Sequence, residues 1–219
     1  MLKKRALGET IAPKPAIAPI TPKKTSMQKI ILATTSPYRL EAFKFLGIDF
    51  EAKGSDVDES QADRSDPEEL VKTLSRLKAE AVAKNSPDAI VIGMDSVGCF
   101  NGQILEKPKS KEEAIERLES LSGGNFQFYT GIFMVNTASK KELSKAVKTE
   151  IFMRTLAAAE IKKYLEQDPR FNTYAVGFDP LGHSSASFVK KIDGSYNNFL
   201  RGIPLEEVVE MITELANDK

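Results

Sequence analysis

The 219-residue sequence is short of the groups on which several common chemistries depend. It has one cysteine, Cys99, so no intrachain disulfide can form, and a free thiol fits a reducing compartment. The expected location is cytoplasmic. Cys99 and the single histidine, His183, cannot assemble a zinc site of the usual four-ligand kind. Ser184 follows His183, but no strand-elbow signature surrounds any serine, which removes a Ser-His hydrolase. No apolar run approaches the roughly 18 residues that a membrane helix needs. Neither G-x-G-x-x-G nor G-x-x-x-x-G-K-[ST] occurs, so the dinucleotide fingerprint and the P-loop are missing. Net charge is absent too, with 31 basic residues against 31 acidic ones. The balance is uneven: residues 1–26 hold Lys3, Lys4, Arg5, Lys14, Lys23 and Lys24 against Glu9 alone, and the remainder is mildly acidic. Such a body does not coat nucleic acid through a general basic surface.

What is present divides into two parts. Residues 1–26, rich in Ala, Pro and Lys, show no sustained helical or strand period and read as a disordered, solvated tail. Met27 is itself a plausible start, which would make that tail an addition to the natural chain. Residues 27–219 read as one domain, and 41% hydrophobic residues overall suffice for a substantial core.

The domain opens with the β-type run "KIILAT" (29–34) and passes at once into a helix start. Ser36 suits an N-cap and Pro37 the first helical position, while Leu40, Phe43 and Leu46 recur at helical spacing before Gly47. A strand is expected over 49–57. A helix starting around Ser65–Glu68 should turn Leu70, Leu74, Leu77 and Ala81 inward. "AIVIGMD" (89–95) has the nearly continuous apolar character of a strand buried on both faces, and Asn101-Gly102 predicts a hairpin turn. Ser110 and Glu113 form a capping box for a helix ending near Gly123. The segments 126–137 and 145–156 predict an antiparallel pair, followed by a helix near 157–167, a strand near 186–192 and a helix begun by Pro204. This alternation predicts an α/β fold with helices covering a mixed sheet.

The strand-to-helix turn at 33–39 can be read chemically. A helix N-terminus presents free N–H groups and a positive dipole end, a natural seat for phosphate. Thr34, Thr35 and Ser36 add hydroxyls, and Arg39 in the first turn can grip phosphate oxygens bidentately. An ordinary capped helix with a solvated arginine would read the same way. Asp95 ends the most buried-looking strand, where catalytic groups gather in α/β sheets. Glu59 lies in the acidic "SDVDES", and two carboxylates with a phosphate suit Mg²⁺. Lys78 on a helix and Lys107 after a strand, each unremarkable alone, join these charges at element ends.

Six segments in order resemble the Maf family of nucleoside triphosphate pyrophosphatases. "ILATTSPYRLEAFKFLG" is similar to its opening A-S-x-S-P-R-R-x-E-L-L-x-x-L-G, "LKAEAVA" to its Lys-containing helix, and "VIGMDSV" to its G-A-D-T-V. "ILEKP", "LSGGNFQFYTG" and "GSYNNFLRGIPL" resemble the family's G-K-P, L-S-G-x-x-H-x-V-Y-T-G and G-S-Y-x-N-V-V-G-L-P-L, so the likeness spans nearly all of 28–215. It implies an elongated α/β fold, a mixed sheet flanked by helices around a central cleft, of Maf and ITPase-like type and often dimeric. It also implies metal-dependent hydrolysis, with Mg²⁺ or Mn²⁺, of a nucleoside triphosphate to a monophosphate and pyrophosphate. Residue by residue, the resemblance assigns Ser36, Arg39 and Lys78 to substrate, Lys107 to the catalytic cleft, and Asp95 and Glu59 to catalysis and the metal. Glu41 matches the signature glutamate, as a further metal ligand in one version of the site.

Departures from the family bear on the substrate. Tyr38 stands where the dTTP/UTP branch has a second arginine and the 7-methyl-GTP branch an aromatic residue. Ser96 matches neither branch, and Asp179 replaces a glutamine of the first branch or a glutamate of the second. Tyr38 and Asp179 lean toward a 7-methyl-GTP-like substrate, with dTTP or UTP as the alternative. Phe126 replaces the family histidine, and one extra residue falls within "NNFLRGIP". Two further functions stay open: a nucleotide-binding regulator without turnover, and a division-associated interaction protein.

Overall fold

A computed structural model describes residues 28–216; the tail assigned to residues 1–26 lies outside the described residues. Six strands form one continuous path of pairings. β1 (Lys29–Ala33) pairs parallel with both β2 (Phe50–Lys53) and β3 (Ala89–Phe100). The remaining strands β5 (Asn125–Asn136), β6 (Glu142–Met153) and β7 (Val189–Asp193) add antiparallel, and the short β4 (Gln103–Leu105) folds back on β3. The sheet is therefore mixed and seven-stranded, in the order β2-β1-β3-β5-β6-β7 with β4 to one side.

Strand alternation assigns the two faces. Ile30, Leu32, Ile90, Ile92, Met94, Ile132 and Met134 pack against Phe43 of α1 (Pro37–Lys44) and Val208, Met211 and Leu215 of α6 (Leu205–Ala216). Their neighbours Ile31, Ala33, Val91, Phe133 and Val135 pack against Ala79 and Val82 of α2 (Pro67–Ala83) on the other face. Covered on both sides, β1 and β3 have no solvent face, which is why their sequences lack a polar alternation. A third cluster joins α3 (Lys111–Leu121) and α4 (Ala158–Gln167) to the far ends of β5 and β6. Phe126, the residue in the family histidine's place, is fully buried in this cluster, edge-on to Phe199 at 5.8 Å. Among the described residues no helix is long and apolar enough to cross a membrane.

Helix α2 approaches the sheet unusually closely, and glycine permits it. A Cβ on Gly93 would lie 2.1 Å from the Ser75 carbonyl oxygen, and one on Gly131 would lie 2.1 Å from that of Val71. The stripe facing the sheet is therefore Val71, Ser75, Ala79 and Val82, small where the glycines are. Leu77, expected inward, is exposed and Ala81 is only half-buried, because the buried row follows this i, i+4 line. Asp66 caps α2, its Oδ1 accepting from the N–H of Glu68 at 2.7 Å.

Other differences have local causes. β2 covers 50–53 rather than 49–57, and the chain then leaves the sheet toward Glu59. The hairpin at Asn101-Gly102 forms with both residues at positive φ, 51° and 77°. Ser110 caps α3 as expected, but the Glu113 carboxylate accepts from the Lys109 N–H instead of closing the box. Residues 183–187 form a 3₁₀ turn, so β7 starts at Val189. A helix absent from the sequence reading, α5 (Tyr196–Arg201), is too short to display a period; Ser195 caps it and Gly202 ends it in the left-handed region.

The start of α4 has Ala157 where a capping oxygen belongs, and Glu160 takes over the function. Its Oε2 accepts from the Ala157 N–H at 3.0 Å while both its oxygens receive Arg154, at 2.7 and 3.1 Å. Arg154 and these N–H donations hold the Glu160 carboxyl down at about 2 from an ordinary 4.5. A depressed folded value means the stabilisation is complete above the ordinary value and fades as pH falls through 4.5 toward 2. The Tm difference between wild type and Glu160→Gln should shrink steadily over that interval, measured by thermal denaturation at stepped pH. Gly93→Ala should destabilise the domain by about 1–3 kcal/mol, since only a shift of α2 relieves the overlap; urea unfolding reads this directly.

Candidate active site

The carboxyl end of β1, the middle of β3, which runs on past Asp95 to Phe100 instead of ending there as expected, the start of α1, the end of α5, and the loops after β2 and β4 surround one cleft of about 910 Å³. Of the residues singled out in the sequence, Ser36, Tyr38, Arg39, Glu59, Lys78, Asp95, Ser96, Lys107 and Asp179 all line it. Glu41 does not. It is exposed on α1, two positions beyond Arg39 and therefore about 200° around the helix from it.

Asp95 sits on β3 opposite Gly131 of β5, near the middle of the sheet, and is 9% exposed. A carboxylate so placed needs a counter-charge. Lys78 provides it from α2, with Nζ 2.5 Å from Asp95 Oδ1 and 2.9 Å from Glu59 Oε1. The close approach of α2 at Gly93, beside Ala79, brings this lysine over the strand. Two acids from distant segments thus converge on one cation.

Arg39 is arranged otherwise than as a free phosphate fork. Its Nε donates to the Gly202 carbonyl at 2.8 Å, Nη1 to that of Met94 at 3.1 Å and Nη2 to Ser96 Oγ at 2.7 Å. Ser96 in turn bonds Thr130 Oγ1 on β5 at 2.7 Å. Half-buried, the guanidinium ties α1, the middle of β3 and the turn after α5 together, and three of its five N–H groups are spent in doing so. Burial lowers its pKa, and Asp95 and Glu59 oppose that, but it stays charged. The start of α1 is also partly spent: Thr34 Oγ1 accepts from the Ser36 N–H and Ser36 Oγ from that of Arg39. Ser96, unmatched to either branch of the family, therefore has a place as a partner of Arg39.

Lys107 is exposed at the cleft edge and, among the described residues, has no hydrogen-bond or ion-pair partner. It is an uncommitted cation. Arg170, Arg201 and Lys109 add positive charge to the same lining. At the other end, Asp179 is 8% exposed and its Oδ1 accepts from the Leu181 N–H at 2.9 Å. The ring of Tyr38 leans on that of Tyr174, centroids 5.8 Å apart and tilted by 55°. Tyr174 and Arg170 were not legible beforehand: neither carries a motif, and both reach the cleft through the irregular chain between α4 and β7. His183 and Ser184 stay outside the lining, and the Ser184 hydroxyl donates to Gln167.

Similarity to known proteins bears on this geometry. A family model described as "Maf-like protein" matches residues 29–215. A dTTP/UTP pyrophosphatase of Pelotomaculum thermopropionicum is 36% identical, over 87% of this chain and 98% of its own. A 7-methyl-GTP pyrophosphatase of Pseudomonas aeruginosa is likewise 36% identical, over 86% of this chain and 97% of its own. A second dTTP/UTP pyrophosphatase, from Clostridium perfringens, is 38% identical over 84% and 95%. The expected resemblance is thereby borne out across the whole described fold: this chain belongs to the Maf family.

Proposed function

We propose that the protein is a nucleoside triphosphate pyrophosphatase, cleaving its substrate between the α- and β-phosphates with the help of a divalent cation. The observation that carries this reading is the convergence of Asp95, Glu59 and Lys78 in a cleft that also offers the unpaired Lys107. The names of the relatives support it.

The donor set fits Mg²⁺ or Mn²⁺. Asp95 Oδ1 and Glu59 Oε1 already converge on a single cation, the Lys78 ammonium. Among the described residues no group of three or more His, Cys, Asp or Glu forms a complete protein cage. Two carboxylates completed by phosphate oxygens and water are the usual holding of Mg²⁺ on a nucleotide. When bound, the ion supplies a Lewis acid to the phosphates.

The chain's own residues do the rest. Lys107, the remaining N–H groups of Arg39 and the Tyr38 N–H at the start of α1 bind the triphosphate against its own charge. Asp95, held in place by Lys78, takes a proton from water as its oxygen bonds to the α-phosphorus. The bond from that phosphorus to the α–β bridging oxygen breaks, and its electron pair leaves with pyrophosphate. Lys78 and Lys107 stabilise the charge that develops.

Relatives of both substrate names match at similar identity, so the choice of base rests on Tyr38 and Asp179. A carboxylate with one oxygen unclaimed by Leu181 complements the N1–H and 2-amino donors of guanine. An aromatic ring favours a base made cationic by 7-methylation. The preferred substrate is accordingly a guanine nucleotide of the 7-methyl-GTP kind. The dTTP/UTP reading keeps the support of relatives at 36% and 38% identity that bear that name. A panel of 7-methyl-GTP, GTP, UTP and dTTP, assayed for pyrophosphate with Mg²⁺ or Mn²⁺, separates the two.

Asp95→Asn should abolish pyrophosphate release while leaving nucleotide binding measurable. A wild type that binds nucleotide and releases no pyrophosphate would instead identify a nucleotide-binding regulator. Lys107→Ala should lower kcat by roughly 10²-fold, as expected for loss of one preorganised donor to developing charge; unaltered steady-state kinetics would take Lys107 out of the site.

A further inference from the structure

Behind the base end of the cleft lies a carboxylate that the reaction does not use. Asp168, the residue that ends α4, is fully buried. Its Oδ2 accepts from the hydroxyls of Tyr174 at 2.9 Å and Tyr164 at 3.2 Å, and its Oδ1 accepts from the Arg170 N–H at 3.0 Å. The Arg170 guanidinium comes within 3.5 Å of Oδ1. A buried charge is costly unless its acceptors are filled, and an apolar residue would serve mere packing better. Of the donors that fill Asp168, Tyr174 and Arg170 line the cleft, and Tyr164 bonds the backbone of Asp179, which also lines it.

Two arms leave this carboxylate. Through Tyr174 it reaches Tyr38, whose ring Tyr174 supports at 5.8 Å. Through Tyr164 it reaches Asp179, because the Tyr164 oxygen accepts from the Asp179 N–H at 3.1 Å while its proton goes to Asp168. Tyr38 and Asp179 are the two residues to which the base preference was assigned. We propose that Asp168 is a positioning residue that sets the geometry of the base-recognition end of the cleft, holding Tyr38 through Tyr174 and Asp179 through Tyr164. This deepens the pyrophosphatase reading and rests on it.

The charge state is consistent with the geometry. Burial works against the Asp168 carboxylate, but donation from the Arg170 N–H and the two tyrosines outweighs it and holds its carboxyl below the ordinary range. Burial, with Tyr38 and Asp168, pushes the Tyr174 hydroxyl well up, so it remains a donor. Asparagine cannot replace this acid evenly. With one acceptor oxygen it can satisfy the tyrosines or the Arg170 N–H, and its NH₂ then opposes the other donor.

The test compares wild type, Asp168→Asn and Tyr174→Phe on 7-methyl-GTP, GTP, UTP and dTTP. Pyrophosphate kinetics are measured with Mg²⁺, and nucleotide affinity by calorimetry without divalent ion. The expected result is a roughly tenfold narrowing of the kcat/KM ratio between best and worst nucleotide, the size of one lost charge-assisted hydrogen bond, carried by KM rather than kcat. Folded variants with the wild-type ratio would overturn the proposal, as would a wild type that shows no preference at all. If Asp168→Asn does not fold, Tyr174→Phe, which keeps the carboxylate and removes one arm, decides in the same way. If wild type releases no pyrophosphate from any of the four, the pyrophosphatase reading falls, and the calorimetric ratio alone still judges Asp168.

Discussion

Everything in the site depends on how closely α2 lies on the sheet. Asp95 is nearly buried at the centre of β3, where an unpaired charge would be costly. The ammonium of Lys78 makes the charge tolerable, and it reaches Asp95 because Gly93 and Gly131 let the helix backbone sit where any other residue would hold it off. The same ammonium draws in Glu59 from the loop after β2. Packing and the electrostatics of the cleft are thus one constraint: without the close approach, the two acids have no reason to share a point.

Around that centre, polar groups divide between holding the frame and facing the ligand. Arg39 and Ser96 spend most of their hydrogen bonds on the frame, linking α1, β3, β5 and the turn at Gly202. Lys107 spends none among the described residues and lies exposed at the cleft edge. Such a division suits a site that must meet a highly charged ligand without rebuilding itself, since the held groups bring fixed dipoles and the free ones bring mobile charge. The buried Asp168 extends the logic to the other end of the cleft, where two tyrosine hydroxyls bond it from behind Tyr38 and Asp179.

Much of this was legible in advance because it is local. Ser36 and Pro37 start α1, Asn101-Gly102 turns the β3–β4 hairpin, and the long β5–β6 pair follows from its apolar alternation. The cleft residues stood out for a related reason: Ser36, Arg39 and Lys107 lie at or beside element ends, within short segments whose residue types are themselves informative, whereas Asp95, expected at a strand end, lies in the middle of β3 because the strand continues to Phe100. Leu77 misled because a helical period counts apolar residues, whereas a helix pressed onto glycines buries its small side chains, Ser75 and Ala79, in their stead. Glu41 misled because a motif gives position along the chain and leaves direction around the helix to be settled by what α1 packs against.

By itself, the sequence determined the element order apart from α5, the mixed character of the sheet, the family and several of the charged residues near the cleft, since each is written in spacings of a few residues or in ordered motifs. Tertiary structure alone decided that Lys78 bridges Glu59 and Asp95, that Arg39 braces three segments, and that Asp168 stands behind Tyr38 and Asp179. Those relations join residues up to 163 positions apart, and hydrogen bonds at such separations follow from the folded path of the chain, which no local pattern encodes.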